Sequence, residues 1–449
     1  MKTKTLLFSL MLQLLFSYYA YPQWVFWEEN NSGVTVSLNA VSNLNGQNAY
    51  VCGDSGTVLK TNYFGYNWSK VSTNEIPSDV SLGTLFALTT AAVFTGGTND
   101  SGAVMYMTTT SGTNWLKVFT QAGTEINGIW LYNTSEGIMV GNPVGGRWSI
   151  WKTTNGGFNW DSTGCYLKQN VNETGFRNSF YYASGKMWFG TNNSRIYYSS
   201  NNGTNWSVIS TEPMQNSISL WWLNEMLTYG YTTGSSYLKT TNAGLNWLAD
   251  TSVLGSGNIN GIISYPNFNT NPWYIRNSEN IYLKNGFQGW IIQYTAPSGI
   301  YNYMGLARSG SFFGPGAIFA VRNNGGISRA NAFVEGVKLI SDRIPDDYKL
   351  HQNYPNPFNS TTHFKFDTRL LPNTYYGEVR GGNIKLTIYN ALGQEVETLI
   401  NKVLQPAVYE ASWNGSNYSS GVYFYRFQVT DPNGGGIVYN AVKKMIMMK

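Results

Sequence analysis

Five of the carboxylates in residues 21–335 have positions suited to acid and base chemistry: Asp54, Asp100, Glu136, Glu225 and Glu279. Glycoside cleavage requires two carboxyl groups about 5 to 10 Å apart across a bound sugar. No local motif marks any of the five, and Asp54, within Gly53-Asp54-Ser55-Gly56, is suited to capping a turn. The two histidines, His351 and His363, lie outside this region. Composition therefore excludes a Ser-His-Asp triad and a histidine-rich metal site there.

The elements that must position these groups are β-strands. The chain has 48 Gly, 32 Tyr and 16 Trp residues, only 12% charged residues, and short alternating runs bounded by Asn, Gly and Ser. Amphipathic helical periodicity is missing, so the sequence predicts an all-β protein. The net charge of +5 is spread out, which does not favour a nucleic-acid partner. Two cysteines, Cys52 and Cys165, give no disulfide framework and are expected to be buried thiols.

One hairpin is copied along the chain. Its clearest copy runs from Trp151 to Trp160 as Trp-Lys-Thr-Thr-Asn-Gly-Gly-Phe-Asn-Trp. Within it, Asn155 can bond its own backbone, Gly157 can take a positive φ, and the hydroxyl of Thr153 can close the turn. The closing tryptophans recur every 41 to 47 residues, at Trp68, Trp115, Trp160, Trp206, Trp247 and Trp290. This period is typical of propellers and solenoids.

The hairpin resembles the Asp-box, Ser/Thr-x-Asp-x-Gly-x-x-Trp, of sialidases and many other β-propellers, with Asn155, Asn201 and Asn242 at the aspartate position. The resemblance implies a structural role, in which the Trp wedges between neighbouring sheets. The blades also resemble the propellers of photosystem II stability and assembly factors, which implies a fold and not a function. Arg343-Ile344-Pro345 matches a sialidase tripeptide but follows the last repeat, so sialidase activity is not expected.

The repeats predict a seven-bladed β-propeller over residues 21–335. Six units are complete, and a seventh, at residues 301–329, lacks its Asn-Trp strand. The stretch from Gln23 to Trp27 has the right character, and Trp27 lies 41 residues before Trp68. We therefore expect the N-terminal strand to close blade seven and the ring. Because the sixth unit is degenerate, six or eight blades are the alternatives.

Residues 1–20 have the form of a secretory signal peptide. Lys2 and Lys4 precede an apolar run from Leu6 to Phe16. The run is too short for a membrane helix, and cleavage is expected after Ala20. The mature protein is therefore expected to be exported, without a transmembrane span.

The repeat stops after residue 335, and residues 336–349 are interpreted as a linker to a small immunoglobulin-like sandwich at 350–449. This sandwich contains Gln352-Asn353-Tyr354-Pro355-Asn356-Pro357-Phe358-Asn359, Ser420-Gly421-Val422-Tyr423 and Lys443-Lys444-Met445. With these motifs the sandwich resembles the type A sorting domain of the type IX secretion system. That resemblance implies Sec export to the periplasm, recognition by the outer-membrane translocon, and a secreted or cell-surface location. The proline-rich motif is expected to be a stiff spacer. The motif residues are Tyr354, Pro355, Asn356, Pro357, Phe358, Asn359, Gly393, Gly421, Val422, Tyr423, Lys443 and Lys444.

Two hypotheses of function follow. The first is a noncatalytic propeller, with no cofactor or metal, that binds an extracellular glycan or protein. The alternative is a secreted glycoside hydrolase that uses a carboxylate pair of the propeller. Tryptophans that could stack on sugar rings are Trp148, Trp188, Trp221, Trp222 and Trp273, although strand alternation favours packing roles for most of them.

Overall fold

The computed structural model describes residues 25–72, 75–222, 229–264, 272–285, 289–308, 315–332, 337–341, 345–369, 382–404, 406–431 and 436–449. The expected signal peptide with its Ala20 cleavage point, Trp24, Glu225, and the pair Arg343 and Ile344 lie outside these ranges. Within them, no helix has the length and apolar character needed to cross a membrane.

The first strand of the described chain, β1 (Val25–Asn30), belongs to the last blade. Blade one contains β2 (Leu38–Asn43), β3 (Ala49–Gly53), β4 (Thr57–Thr61) and β5 (Ser69–Lys70). Blade two contains β6 (Ser81–Ala87), β7 (Val93–Asn99), β8 (Gly102–Thr108) and β9 (Leu116–Gln121). Blade three contains β10 (Ile126–Leu131), β11 (Gly137–Val144) and β12 (Arg147–Thr153).

Blade four contains β13 (Gly175–Ala183), β14 (Lys186–Thr191), β15 (Arg195–Ser199) and β16 (Ser207–Ser210). Blade five contains β17 (Ser219–Trp222), β18 (Gly230–Thr233), β19 (Tyr237–Thr240) and β20 (Leu248–Asp250). Blade six contains β21 (Ile259–Ile263), β22 (Trp273–Arg276), β23 (Asn280–Asn285) and β24 (Gly289–Thr295). Blade seven contains β25 (Tyr301–Leu306), β26 (Pro315–Arg322) and β27 (Ile327–Ala332), with β1 as its fourth strand.

Over the described residues these strands form seven antiparallel sheets arranged in a ring. The first strand of each blade contacts the first strand of the next, and β25 contacts β2. The second strands are apolar and buried on both faces, as in β3, because neighbouring blades cover them. Fourth strands such as β5 are exposed edges. Where a fourth strand was expected, blade three has two isolated backbone bridges, Lys152 to Asp161 and Arg147 to Lys168.

The repeated turn is held by the hydrogen bonds that its residue types suggest. In blade three the amide of Gly157 donates to Thr153 Oγ1 at 2.8 Å, and the amide of Asn159 donates to Asn155 Oδ1 at 3.0 Å. Blade two has a threonine at the Asn position, and Thr110 Oγ1 accepts the same bond from the amide of Asn114 at 3.1 Å. The turn therefore works with a neutral acceptor and needs no charged group.

The repeated turns also join neighbouring blades. Gly157 has a φ of 89°, and a Cβ there would lie 2.3 Å from Phe94 of blade two, so only glycine fits. Trp68 of blade one packs against Phe319 of blade seven, with ring centroids 5.3 Å apart. The remaining box tryptophans, Trp115, Trp160, Trp206, Trp247 and Trp290, lie in core clusters shared with the preceding blade.

Ring closure depends on acidic residues of β1. Glu28 and Glu29 pair in register with Arg329 and Ser328 of β27. The Glu29 carboxylate forms an ion pair with Arg322, whose side chain is 3% exposed, and accepts a hydrogen bond from Tyr294 of blade six at 2.8 Å. The Trp27 indole also reaches blade six, donating to Gln293 Oε1 at 2.8 Å. These contacts fix the N-terminal strand to two blades.

The fully buried Arg329 joins blade seven to blade one. Its guanidinium forms an ion pair with Glu28, donates to the Phe64 carbonyl at 2.9 Å, and lies 3.4 Å from the centroid of the Tyr66 ring. Phe64 and Tyr66 belong to the repeated turn of blade one. Charged groups of blade seven therefore contact both of its neighbours, blade six through Glu29 and blade one through Arg329.

The C-terminal sandwich has two four-stranded sheets and begins earlier than the sequence suggested. The first sheet contains β28 (Val337–Ser341), β29 (Lys349–Leu350), β30 (Thr361–Thr368) and β33 (Ala407–Asn414). The second contains β31 (Gly382–Asn390), β32 (Glu395–Leu404), β34 (Gly421–Thr430) and β35 (Ile437–Met447). Because β28 pairs with β33 and buries Val337, part of residues 336–349 belongs to the sandwich and not to a linker.

Glu29→Gln is expected to destabilise the protein by about 1 to 3 kcal/mol at pH 7, because it leaves the buried Arg322 without a counter-charge. Burial raises the pKa of Glu29, but hydrogen bonds from Arg322, Ser328 and Tyr294 outweigh it and hold that pKa below its ordinary value. The stabilisation is therefore present above the unfolded glutamate pKa of about 4.3 and is lost as pH falls through the folded pKa.

Thermal melting between pH 3 and pH 7 measures this effect. The gap between wild type and Glu29→Gln should narrow towards pH 3, while Glu279→Gln, at an exposed carboxylate, should melt like wild type. A gap that is the same at both ends of the pH range would contradict the role of the Glu29 charge in closure.

Candidate functional site

A cavity of about 470 Å³ lies on the ring axis. It is lined by the first strands of all seven blades, β2, β6, β10, β13, β17, β21 and β25. Its volume falls within the range of about 300 to 1,000 Å³ that is typical of ligand pockets. The cavity is therefore the candidate binding site of the propeller.

One end of the cavity is crossed by a bulge of β13. The strand register shifts between Gly175 and Phe180, and Asn178 there has a φ of 61°. The Asn178 amide donates across the channel to the carbonyl oxygens of Gly83 at 3.1 Å and Asn39 at 3.4 Å. Blade four is thereby bonded to blades one and two, on the opposite side of the ring.

Arg177 strengthens the same closed end. Its Nε lies 2.9 Å from Glu125 Oε2, and its Nη2 donates to Thr98 Oγ1 at 3.2 Å. Among the described residues no such bond joins opposite blades at the other end of the cavity, where the first strands finish, and we call it the open end.

Aromatic rings line the open end. The Phe86 and Trp130 centroids lie 4.8 Å apart, and Trp130 stacks on Tyr182 at 5.2 Å. Tyr181 and Trp221 form a second pair at 5.5 Å. These rings offer apolar contact area to a ligand.

Among the described residues that line the cavity, Arg308 is the charged one. Its guanidinium carbon lies 4.5 Å from the Phe86 centroid and 5.4 Å from the Trp130 centroid, and Nη2 donates to the Ala87 carbonyl. The Arg308 amide donates to the Asn43 carbonyl at 3.1 Å. Burial lowers the pKa of Arg308 to about 10. Such a cation between aromatic rings suits the recognition of an anion.

Arg308 is a functional residue that the motifs did not indicate, although the repeats contain a signal for it. It lies two residues after the first strand of its blade, where the first three blades have Asn45, Thr89 and Asn133. Alignment of the repeats at this offset shows that Arg308 introduces a positive charge where other blades have a polar residue. Its position at the mouth of the cavity becomes visible only when the blades are arranged in a ring.

The structure does not bring the predicted carboxylates together. Asp54 accepts hydrogen bonds from Asn39 at 2.9 Å and from Ser81 at 2.7 Å and so ties blade one to blade two. Asp100, Glu136 and Glu279 are exposed and lie on blades two, three and six. None of these four described residues lines the cavity.

The tryptophans proposed for sugar stacking divide into two groups. Trp221 lines the cavity and is half-buried. The other four are at most 4% exposed and pack in the cores, namely Trp148, Trp188, Trp222 and Trp273. The thiols of Cys52 and Cys165 are free and buried, and burial raises the pKa of Cys52 to about 12.

The proline-rich part of the sorting motifs lies on one edge of the sandwich. The proline-rich segment lies along β35, where Ile446 donates to Asn356 Oδ1 at 2.9 Å and Phe358 donates to the Ile446 carbonyl at 3.0 Å. The Phe358 ring is 2% exposed, whereas Tyr354 is 79% exposed. The segment is therefore an integral part of the sandwich edge, which corrects the expectation of a spacer.

Other motif residues shape the adjoining turns and strands. Gly393 takes a φ of 79° in the turn between β31 and β32. Tyr423 is buried and donates to the Ser419 carbonyl at 2.7 Å. Lys443 and Lys444 pair with β34, and the Lys444 carbonyl accepts a hydrogen bond from Gln352 at 2.8 Å. Asn359, Gly421 and Val422 are exposed.

Comparison with known proteins identifies the C-terminal part. Residues 352–434 match the family described as secretion system C-terminal sorting domain. The type IX sorting assignment made from the motifs is confirmed. No curated protein matches the chain.

Solved structures identify the architecture of the N-terminal part. YCF48 from Cyanidioschyzon merolae is 14% identical with a TM-score of 0.53, and the match covers 68% of this chain and 98% of that one. A YCF48 bound to D1 peptide is 15% identical with a TM-score of 0.53, covering 70% and 99%. The prediction of an all-β propeller followed by a sandwich is confirmed, and this likeness concerns the fold alone.

Replacement of Asn178 tests the contacts across the channel. Asn178→Gly removes two hydrogen bonds and is expected to lower the free energy of unfolding by about 1 to 3 kcal/mol. Asn178→Ala should cost about 1 kcal/mol more, because alanine is strained at positive φ. Urea denaturation measures both variants. Wild-type stability of Asn178→Gly would show that the bonds between opposite blades contribute nothing.

Proposed function

We propose that the protein is exported through the type IX secretion system and acts outside the cell as a noncatalytic binding module. The observation that carries this proposal is the pairing of a sorting domain with an aromatic-lined propeller cavity that is open at one end. The sorting domain provides the address, and the open end of the cavity is the binding face.

We further propose a peptide or protein segment as the ligand. The walls of the cavity are mainly aliphatic and aromatic, which favours apolar side chains over a hydroxyl-rich sugar. One of the similar solved propellers is a YCF48 bound to D1 peptide. That peptide supports the ligand class without identifying the partner of this chain.

The proposed route has two stages. The N-terminal segment with Lys2, Lys4 and the apolar run takes the chain to the periplasm as a Sec signal peptide. The sorting domain then takes the protein to the cell surface or the medium. Recognition on the sandwich edge would use the exposed Tyr354 and Lys444 beside the proline-rich segment.

Grafting tests the address. Residues 337–449, fused to an unrelated exported reporter, should carry it outside a host that has a working type IX system. A matched fusion of residues 350–449 lacks β28, which uncovers one edge of β33, and should accumulate less outside. Immunoblots of periplasm, surface and medium give the result. Retention of both reporters in the periplasm would refute the proposed address.

A peptide array probed with the full-length mature protein tests the binding face. Bound peptides should lose about tenfold or more in affinity to Trp221→Ala, because central aromatic contacts dominate such interfaces. The control Tyr166→Ala removes an aromatic ring that is 68% exposed and lies on blade three, outside the cavity. Peptide binding that is equally strong in both variants would place the binding face elsewhere.

A further inference from the structure

Arg308 differs in its partners from four arginines of the propeller, and it lines the cavity, whereas Arg276, which likewise contacts a backbone carbonyl and an aromatic ring, does not. Arg177, Arg195, Arg322 and Arg329 each contact a carboxylate oxygen. Arg308 contacts two aromatic rings and one backbone carbonyl, and its Nε is buried with no hydrogen-bond partner among the described residues. A buried charge without a counter-ion is costly, so this arrangement is suited to an anion supplied by a ligand.

The geometry around the guanidinium favours a planar anion. Phe86 and Trp130 flank the group and restrict its orientation. A guanidinium has five N–H donors in a fixed fork, of which one is used by the Ala87 carbonyl. A carboxylate can accept two parallel bonds from such a fork.

The remainder of the ligand must be apolar. Three of the hydroxyl groups that line the cavity already make hydrogen bonds within the propeller, whereas the Trp221 indole N–H has no partner among the described residues. Thr84 donates to the Ile126 carbonyl at 2.7 Å, Ser42 accepts from the Ala87 amide at 2.9 Å, and Ser219 accepts from the Ile262 amide at 3.2 Å. A sugar would bring several hydroxyls into a site with few groups left to receive them.

The closed end determines which part of a chain can enter. Because Asn178 crosses the channel, a peptide cannot pass through the ring. Arg308 lies at the mouth, so the carboxylate stays there while a side chain extends inwards. Resting on the proposed peptide-binding function, we infer that Arg308 and the cavity form a site for the terminal carboxylate of a peptide with an apolar last residue.

Binding of small probes to the full-length mature protein tests this site. N-acetyl-L-phenylalanine represents an apolar C-terminal residue, and N-acetyl-L-phenylalaninamide has the same shape without the charge. Calorimetry should show at least about tenfold weaker binding of the amide, because hydrogen bonds to charged groups are the strong ones. Hexanoate represents a simple apolar acid and should bind less tightly than N-acetyl-L-phenylalanine. Glucuronate represents an acidic sugar and should not bind.

Variants connect the preference to Arg308. Arg308→Gln should bind the acid and the amide with equal affinity, and Arg308→Lys should keep part of the preference for the acid. The control Arg147→Gln removes an exposed arginine of blade three and should bind both probes as wild type does. Equal binding of acid and amide by wild type would overturn the carboxylate site but leave peptide binding intact. Absence of any binding at about 10 mM, which is tenfold above a weak dissociation constant of about 1 mM, would overturn the site as well. Tighter binding of glucuronate than of the acetylated residue would also overturn it.

Discussion

The closure of the ring by β1 is the constraint on which the rest of the propeller depends. Blade seven combines three strands from the end of the propeller sequence with one strand from its start. It therefore brings together residues about three hundred positions apart, such as Glu29 and Arg322. Charged side chains hold this junction together. Glu29 bonds β1 to blades six and seven, and Arg329 bonds blade seven to blade one. With the junction fixed, the seven first strands face one axis and define the cavity.

The fold could be predicted because its information is local and repeated. Thr153, Asn155 and Gly157 form the turn through bonds spanning at most four residues, and the same arrangement recurs in other blades. The strands of blade one follow the same local pattern, since β3 and β4 are apolar runs on either side of the turn at Asp54 and Ser55. Each copy supports the interpretation of the others, so drift at Tyr63 or Thr110 did not hide the period.

The candidate site could not be predicted because it arises from contacts between distant blades. Nothing near Asn178 in the sequence shows that its side chain reaches Gly83, nor that Arg308 lies between Phe86 and Trp130. The described carboxylates that prompted a hydrolase alternative lie outside the strands, and Asp54 accepts hydrogen bonds that join blades one and two. The boundary of the sandwich was misplaced for a related reason: β28 is short, and its partner β33 lies far along the chain.

These features divide the polar groups of the propeller into two sets. At the closed end Arg177, Asn178 and Asp54 have protein partners, so this end is rigid and has little left to offer a ligand. At the open end Arg308 Nε has no hydrogen-bond partner among the described residues, and the guanidinium lies beside aromatic rings. Bonds between opposite blades already hold the ring in shape, so a ligand at the mouth need not reorganise the scaffold. Its binding free energy is then not reduced by the cost of ordering the site. Affinity would then follow from how well the ligand's charge and apolar volume match a preformed cavity.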